Sequence, residues 1–80
     1  MKLNQIEHIN DYFFKMTFVN GEVIEANLEE LIGDYVAKDA LNTASIDQEW
    51  GCLEFNNGMA DIEPKTLYEF VTAYHCKQAA

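Results

Sequence analysis

Basic residues are scarce in this sequence. Five lysines and arginines stand against fourteen aspartates and glutamates, which gives a formal net charge of −9. Proteins that bind nucleic acids neutralise phosphates with basic residues, and anionic membranes attract the same residues. The charge therefore predicts that this chain binds neither nucleic acid directly nor an anionic membrane. It is compatible with a basic protein partner and, as the more common case, with an acidic surface that keeps a protein in solution.

Potential metal ligands are also few and scattered. Cys52 and Cys76 show neither Cys-x-x-Cys spacing nor a disulfide framework. His8 and His75 lie near opposite ends of the chain, so His75-Cys76 is the only adjacent pair of such residues. Zinc sites usually draw on local ligand pairs. The sequence therefore predicts no metal site and no cofactor.

Long apolar runs are absent, which predicts that no helix spans a membrane. The first residues, Met1–Glu7, lack the apolar core of a signal peptide, so we expect a cytoplasmic protein. One proline and four glycines among 80 residues, with 49% hydrophobic residues, argue against disorder. Residues 1–80 are therefore expected to form a single small domain.

The stretch 50–74 predicts a strand, a tight turn, a second strand and a helix. Leu53 and Phe55 give the first strand one apolar face. Asn57-Gly58 predicts a two-residue turn because both positions tolerate positive φ. Pro64 fits the first position of the helix. The helix carries one apolar stripe at helical spacing, formed by Leu67, Phe70, Val71 and Tyr74. We expect this stripe to lie on the hairpin face of Leu53 and Phe55.

The first half of the chain predicts a similar hairpin. Residues 12–19 alternate, and one parity holds Phe14, Met16 and Phe18. Asn20-Gly21 then repeats the turn signal before a return strand at 22–27. Residues 3–9 alternate less cleanly and predict a short or edge strand.

The middle of the chain predicts a short helix. Asn27 is expected to cap residues 28–32 with Glu30 in the capping-box position, and Gly33 to end the helix in a left-handed conformation. Residues 34–43 predict one turn of helix or an ordered loop, and residues 44–49 a strand with Ile46 inward. The fold class is α+β: antiparallel β-hairpins with a short central helix and a C-terminal helix packed on one sheet face. The end, Cys76–Ala80, is expected to fray.

The order and spacing of these motifs resemble a known family. The motifs are Phe14-x-Met16-x-Phe18-x-Asn20-Gly21, Asn27-Leu28 with Leu31, Leu53-x-Phe55-x-Asn57-Gly58, and Asp61-Ile62-x-Pro64-x-x-Leu67-Tyr68. Over about residues 10–70 they are similar to domain of unknown function 2442, found in small bacterial proteins. The resemblance implies a small α+β domain with no established activity and no established functional residues.

The resemblance also implies a biological setting. Some members of the family are fused to a helix-turn-helix DNA-binding domain, and others stand as single domains. Still others are encoded beside a second small uncharacterised protein, an arrangement suggestive of toxin–antitoxin pairs. The residues of this chain show no helix-turn-helix segment, so we expect any role linked to DNA to be indirect.

The sequence shows no evident combination of catalytic side chains. Cys52 or Ser45 would need His8 as an adjacent base, and no feature of the sequence supports that contact. The carboxylate pairs Asp47/Glu49 and Asp61/Glu63 have the i, i+2 spacing that on strands usually marks a solvated face. The sequence therefore predicts that the protein is not an enzyme. For Asp61 we favour a structural role, either capping the N–H groups at the start of the following helix or bracing the loop before it.

The candidate interaction surface is formed by Phe13, Trp50, Cys52 and Met59, which fall outside the predicted apolar faces. Two interpretations stay open: residues 34–43 cover this surface, or it binds a protein partner or a second copy of the chain. The leading hypothesis is a non-enzymatic interaction module, antitoxin-like or regulatory. The alternative is a small-molecule or peptide-sensing domain, related to the sensory half of a transcription regulator. Asn20, Gly21, Asn57, Gly58 and Pro64 are assigned structural roles.

Overall fold

The computed structural model describes the backbone of residues 2–79 and the side chains of residues 2–73. The predicted packing of Tyr74 and fraying of Cys76–Ala80 concern residues outside this side-chain description. The elements in chain order are β1 (Leu3–Asn10), β2 (Phe13–Phe18), β3 (Val23–Asn27), α1 (Glu29–Ile32), a 3-10 helix (Lys38–Thr43), β4 (Ser45–Ile46), β5 (Leu53–Phe55), β6 (Ala60–Ile62) and α2 (Pro64–Ala79). They confirm the α+β prediction, with two three-stranded antiparallel sheets ordered β1-β2-β3 and β4-β5-β6. No helix in the described part of the chain is long and apolar enough to cross a membrane.

The first sheet follows the predicted alternation. Phe14, Met16 and Phe18 of β2 are fully buried. Their neighbours on β3 are Ile24, paired with Met16, and Ala26, paired with Phe14, and both are buried. Strand β1 is an edge strand, as predicted, but it runs for eight residues and has two irregularities in register. Only Leu3 of this strand is buried in the core.

The first hairpin turn lies at the predicted position but has a different geometry. The Gly21 N–H donates to the Phe18 carbonyl at 2.9 Å, so Val19 and Asn20 are the central residues. Of the predicted pair, Gly21 has positive φ (92°), whereas Asn20 is not among the positive-φ residues. The Asn20 side chain stabilises the turn by accepting a 3.0 Å hydrogen bond from the Glu22 N–H.

The second hairpin turn has a longer loop than predicted. Asn57 and Gly58 have the expected positive φ values, 57° and 90°, but Asn56 also has positive φ (54°). Strand β5 ends at Phe55 and β6 begins at Ala60, so four residues connect them instead of two. Two consecutive turns span this loop, because the N–H groups at positions 58 and 59 donate to carbonyls three residues earlier.

Helix α1 differs from the prediction at both ends. Asn27 accepts a 2.8 Å hydrogen bond from the Glu29 N–H, but the N-cap residue is Leu28 and no Glu30 side-chain bond completes a capping box among the described residues. The prediction of a left-handed Gly33 is wrong, because its φ and ψ are −58° and −29°. The chain continues to turn in the right-handed sense, and the Val36 N–H still donates to the Ile32 carbonyl at 2.9 Å.

Helix α2 buries two residues of the predicted stripe, with Phe70 half-buried, but it lies against a different strand. Leu67 and Val71 are fully buried, and the helix contacts β3 of the first sheet more than the β5–β6 hairpin. Tyr68 of this helix also contacts the first sheet, because its ring packs edge-on against Phe18 of β2 with 5.0 Å between ring centroids. Its hydroxyl donates to Glu22, which lies just before β3.

The two sheets share one core with the 3-10 helix. The rings of Phe14 and Phe55 meet edge-on with centroids 5.9 Å apart, which joins the sheets. Ala40 and Leu41 of the 3-10 helix are buried in the same cluster. Residues 34–43 therefore form ordered structure, as predicted. Ile46 lies on the two-residue strand β4 and packs against the same cluster.

Tyr12 is a core residue that the sequence pattern did not identify. Its buried hydroxyl donates a 2.7 Å hydrogen bond to the carbonyl of Val36 and ties the β1–β2 turn to the segment after α1. Replacing Tyr12 with phenylalanine leaves that carbonyl without its partner, so we expect a loss of about 1–2 kcal/mol in the free energy of unfolding. Urea denaturation measures this loss. Tyr35→Phe, at an exposed tyrosine, is the matched control, and equal midpoints for the two variants would contradict the prediction.

Candidate functional site

The structure separates the four residues of the candidate interaction surface. Phe13 and Cys52 are half-buried, whereas Trp50 and Met59 have exposed fractions of 63% and 87%. Phe13 lies on the outer face of the first sheet, because its neighbour Phe14 points into the core. Trp50 lies in the turn before β5, while Met59 lies in the loop at the opposite end of the β5–β6 hairpin. These residues therefore mark different surfaces.

Residues 34–43 do not cover Trp50 or Met59. The buried side chains of the 3-10 helix are Ala40 and Leu41, which face the core. Tyr35 has an exposed fraction of 76% and lines one groove together with Met59. The first of the two interpretations is thus wrong for these two residues.

The groove that contains Met59 runs between β6, the region of α1 and the start of α2, and we call it the β6 groove. It is lined by Leu31, Tyr35, Met59, Ala60, Asp61, Ile62, Glu63 and Thr66. Five of these eight side chains are apolar or aromatic, two are acidic and none is basic. Its volume is about 630 Å³. The surface is therefore apolar with a negative border.

Strand β6 presents an unpaired edge to this groove. It pairs with β5 on one side, and none of the backbone groups of residues 60–62 has a further hydrogen-bond partner among the described residues. The other sheet edges contact further elements, since β1 lies beside β4 and β3 beside α2. An unpaired edge of this kind can accept another strand.

Asp61 lies at the centre of β6. Its partner across the strand pair is Glu54, and its side chain is exposed. The carboxylate makes no hydrogen bond with the described residues, so the expected cap of α2 is not formed here. Helix α2 does begin at Pro64, as expected. Sequence reasoning missed the groove, because α1 and the turns after it decide the direction of Leu31 and Tyr35.

His8 and Cys52, two of the side chains considered for nucleophilic catalysis, lie far apart. His8 Nε2 is hydrogen-bonded to the Asp11 carbonyl at 2.7 Å, and its ring packs on Phe14. Cys52 follows Gly51, which bonds to Leu3 at the other end of β1. His8 lies five positions after Leu3 along the strand, which corresponds to roughly 16 Å. Burial, and then the negative charges around it, raise the pKa of the Cys52 thiol, which disfavours the thiolate.

The carboxylate pair Asp47/Glu49 belongs to a turn. Asp47 Oδ1 accepts a 2.8 Å hydrogen bond from the Glu49 N–H and a longer one from the Trp50 N–H. This bonding is a local turn arrangement typical of aspartate. Among residues whose side chains are described, no three His, Cys, Asp or Glu side chains are close enough to hold a metal ion; His75 and Cys76 lie outside that description.

A second groove crosses the outer face of the first sheet. It is lined by Gln5, Ile6, Glu7, Lys15, Thr17, Val23, Ile46 and Gln48. Glu7 and Lys15 are directly opposite each other on neighbouring strands, so the charges of this face are mixed. It provides a reference surface of different electrostatic character from the β6 groove.

Glu22 and Tyr68 form a polar contact near the first hairpin. The Tyr68 hydroxyl donates a 2.5 Å hydrogen bond to Glu22 Oε1, and the Asn20 amide donates to the same oxygen. The bond from Tyr68, and then that from Asn20, lowers the pKa of Glu22. The bond to Glu22 raises the pKa of the Tyr68 phenol, because it stabilises the protonated hydroxyl.

We expect this contact to contribute to stability only in a central pH range. The contribution of Glu22 is present above its ordinary pKa of 4.5 and is lost as the pH falls through the lowered value. The contribution of Tyr68 is present below its ordinary pKa of 10.0 and is lost as the pH rises through the raised value. The difference in Tm between the wild type and Tyr68→Phe should therefore be largest between these limits and shrink on both sides. A difference that does not vary with pH would contradict this.

One known protein family matches most of this chain. The family model described as "Protein of unknown function (DUF2442)" matches residues 3–73. No curated protein and no solved structure matches the chain. The match confirms the resemblance of the motifs and extends it to β1, which lay outside the motifs. Since it covers most of the sequence, the chain belongs to the DUF2442 family, whose function is unknown.

Proposed function

We propose that this protein is a cytoplasmic, non-enzymatic protein–protein interaction module, and that it is the antitoxin-like or regulatory member of a two-protein system. The observation that carries the proposal is the exposure of Tyr35 and Met59 along the apolar β6 groove. Large apolar side chains grouped on the surface of a small domain often mark contact sites. Aromatic residues and methionine are also enriched at such interfaces.

The charge of the chain supports a basic partner. The net charge is −9, and the β6 groove has acidic but no basic lining residues. Complementary charge increases the rate at which partners associate and disfavours partners of the same sign. A basic protein surface is therefore the proposed partner.

The roles of the candidate reactive groups support a non-enzymatic function. His8 and Asp47 take part in local turn contacts, and the raised pKa of Cys52 disfavours a nucleophilic thiolate. A small-molecule or peptide-sensing domain is the second candidate. It is favoured by the volume of the β6 groove, about 630 Å³, which lies in the range of ligand sites.

The test compares two ends of the second hairpin. Tagged wild type, Tyr35→Glu/Met59→Glu and Trp50→Glu are used to capture partners from a lysate of the native bacterium. A captured protein is then purified and titrated against each form by calorimetry. We expect the double variant to lose at least tenfold in affinity and Trp50→Glu, the control at the other end, to lose less. The proposal fails if no protein binds specifically, and stabilisation of the wild type by a small molecule in a thermal-shift screen would then favour the sensing domain.

A second copy of the chain is also a proposed partner, since Trp50 is exposed and strands at sheet edges can pair. Sedimentation velocity over a range of concentrations separates this case from a different partner. A dimer that Trp50→Glu converts to monomers would support a homodimer through the surface around Trp50. A monomer at all concentrations would exclude it.

A further inference from the structure

We infer that the β6 groove binds an extended, basic segment of a partner protein, which adds to β6 as a fourth strand of the second sheet. This inference rests on the proposed function and specifies the partner and its mode of binding. It combines three independent features of the groove: an unpaired strand edge, two exposed apolar side chains beside it, and a negative border.

The backbone of β6 supplies the first feature. Residues 60–62 pair with β5 on one edge, and the backbone groups that point to the other edge have no partner among the described residues. An extended peptide can satisfy such groups by main-chain hydrogen bonds, whose strength does not depend on the peptide sequence. The unpaired edge of β6 therefore supports strand addition in the groove.

The side chains of β6 and of the groove predict which residue types alternate in the bound peptide. Successive side chains of a strand point to opposite faces, so Asp61 points away from the core face of Ala60 and Ile62. A peptide strand beside β6 would alternate in the same way. Residues beside Asp61 would be basic, and the residues between them would be apolar and contact Tyr35 and Leu31, which line the groove.

The charges distinguish a basic peptide from a second copy of this chain. Asp61 and Glu63 line the groove, and Glu30 and Asp34 are exposed neighbours of its lining residues Leu31 and Tyr35. Antiparallel addition of β6 from a second copy would bring the acidic residues of both strands together, and like charges on adjacent strands are destabilising. A basic segment has the opposite sign and is the occupant that the groove favours.

The experiment uses the full ¹⁵N-labelled chain and three synthetic peptides. The first is an acetylated, amidated heptapeptide that alternates lysine and valine. The second replaces each lysine with glutamate, and the third keeps the lysines but methylates alternate backbone nitrogens. We expect the first peptide to shift the amide signals of residues 59–63 and 35 and to slow hydrogen exchange in β6. We expect the glutamate peptide and the methylated peptide each to bind at least tenfold more weakly.

Charge reversal in the protein provides the second arm. Asp61→Lys/Glu63→Lys should prefer the glutamate peptide over the lysine peptide. Glu7→Lys/Glu25→Lys, on the outer face of the first sheet, introduces the same change of charge and should keep the original preference. Dispersed amide spectra show that each variant is folded before it is titrated.

Two results would overturn the inference. One is equal binding of the methylated and unmethylated peptides, which excludes main-chain pairing. The other is a set of peptide-induced shifts on the outer face of the first sheet instead of on residues 59–63. Either result leaves the proposed function intact if a captured partner protein still loses affinity for Tyr35→Glu/Met59→Glu. Loss of every specific partner in the capture experiment would instead remove the proposed function itself.

Discussion

Replacing Phe55 with alanine is expected to lower the free energy of unfolding by about 3–5 kcal/mol, the usual cost of removing a buried phenylalanine ring. Phe55 is fully buried, and its ring packs edge-on against Phe14 between the two sheets. The truncation leaves a cavity at the contact that joins β2 and β5. A domain of this size has a total stability of roughly 4–12 kcal/mol, so the variant should be marginally folded.

Urea denaturation followed by circular dichroism measures this effect. Met59→Ala is the control, because the Met59 side chain is almost fully exposed, and its change should stay within about 0.5 kcal/mol. Phe55→Leu retains an apolar side chain at the same position and should lose less than Phe55→Ala. A loss below about 1 kcal/mol for Phe55→Ala would be well under the range for buried phenylalanines and would mean that the sheets do not pack through this ring.

Replacing Gly51 with alanine is expected to have the second-largest effect. Gly51 has φ of +73°, and a left-handed conformation costs an alanine roughly 1–2 kcal/mol. A Cβ atom at this position would lie 2.7 Å from Lys2 Cβ and 3.3 Å from Lys2 Cα, so the backbone at Lys2 must move. Overpacking adds about 1–3 kcal/mol, which gives an expected total of about 2–5 kcal/mol.

Gly21→Ala is the matched control for Gly51. Gly21 also has positive φ, +92°, but a Cβ atom there would meet nothing within 4 Å. The control therefore measures the cost of the conformation alone, and the difference between the variants measures the contact with Lys2. The Leu3 N–H donates to the Gly51 carbonyl at 3.2 Å and holds these two segments of the chain together. Equal losses for the two variants in urea denaturation would show that Lys2 nevertheless moves away freely.

Local sequence patterns predicted much of the secondary structure. Alternation placed Phe14, Met16 and Phe18 on the buried face of β2, because a strand has a period of two residues and an apolar face must be covered. Asn-Gly pairs marked both hairpins, because glycine, and to a lesser degree asparagine, tolerates positive φ. The same local motifs identified the DUF2442 family.

The candidate site was predicted less well, for a physical reason. Phe13, Trp50, Cys52 and Met59 were grouped by their parity along strands, but Trp50 and Met59 lie in turns at opposite ends of a hairpin, where strand parity no longer applies. Tyr35 reaches the β6 groove through turns that continue past Gly33, whose φ the sequence pattern did not predict.

The amino-acid sequence by itself determined the fold class, the two hairpins, the buried face of each central strand and the negative charge, since these depend on residue types and on spacing within a few positions. Tertiary structure alone decided that α2 lies against β3, that Tyr12 donates to Val36, and that Met59 and Tyr35 line one groove. These contacts join residues more than twenty positions apart along the chain, or an element to one of two apolar sheets. Local propensity does not distinguish these contacts from alternative ones, so the packing of the whole core decides which contacts form.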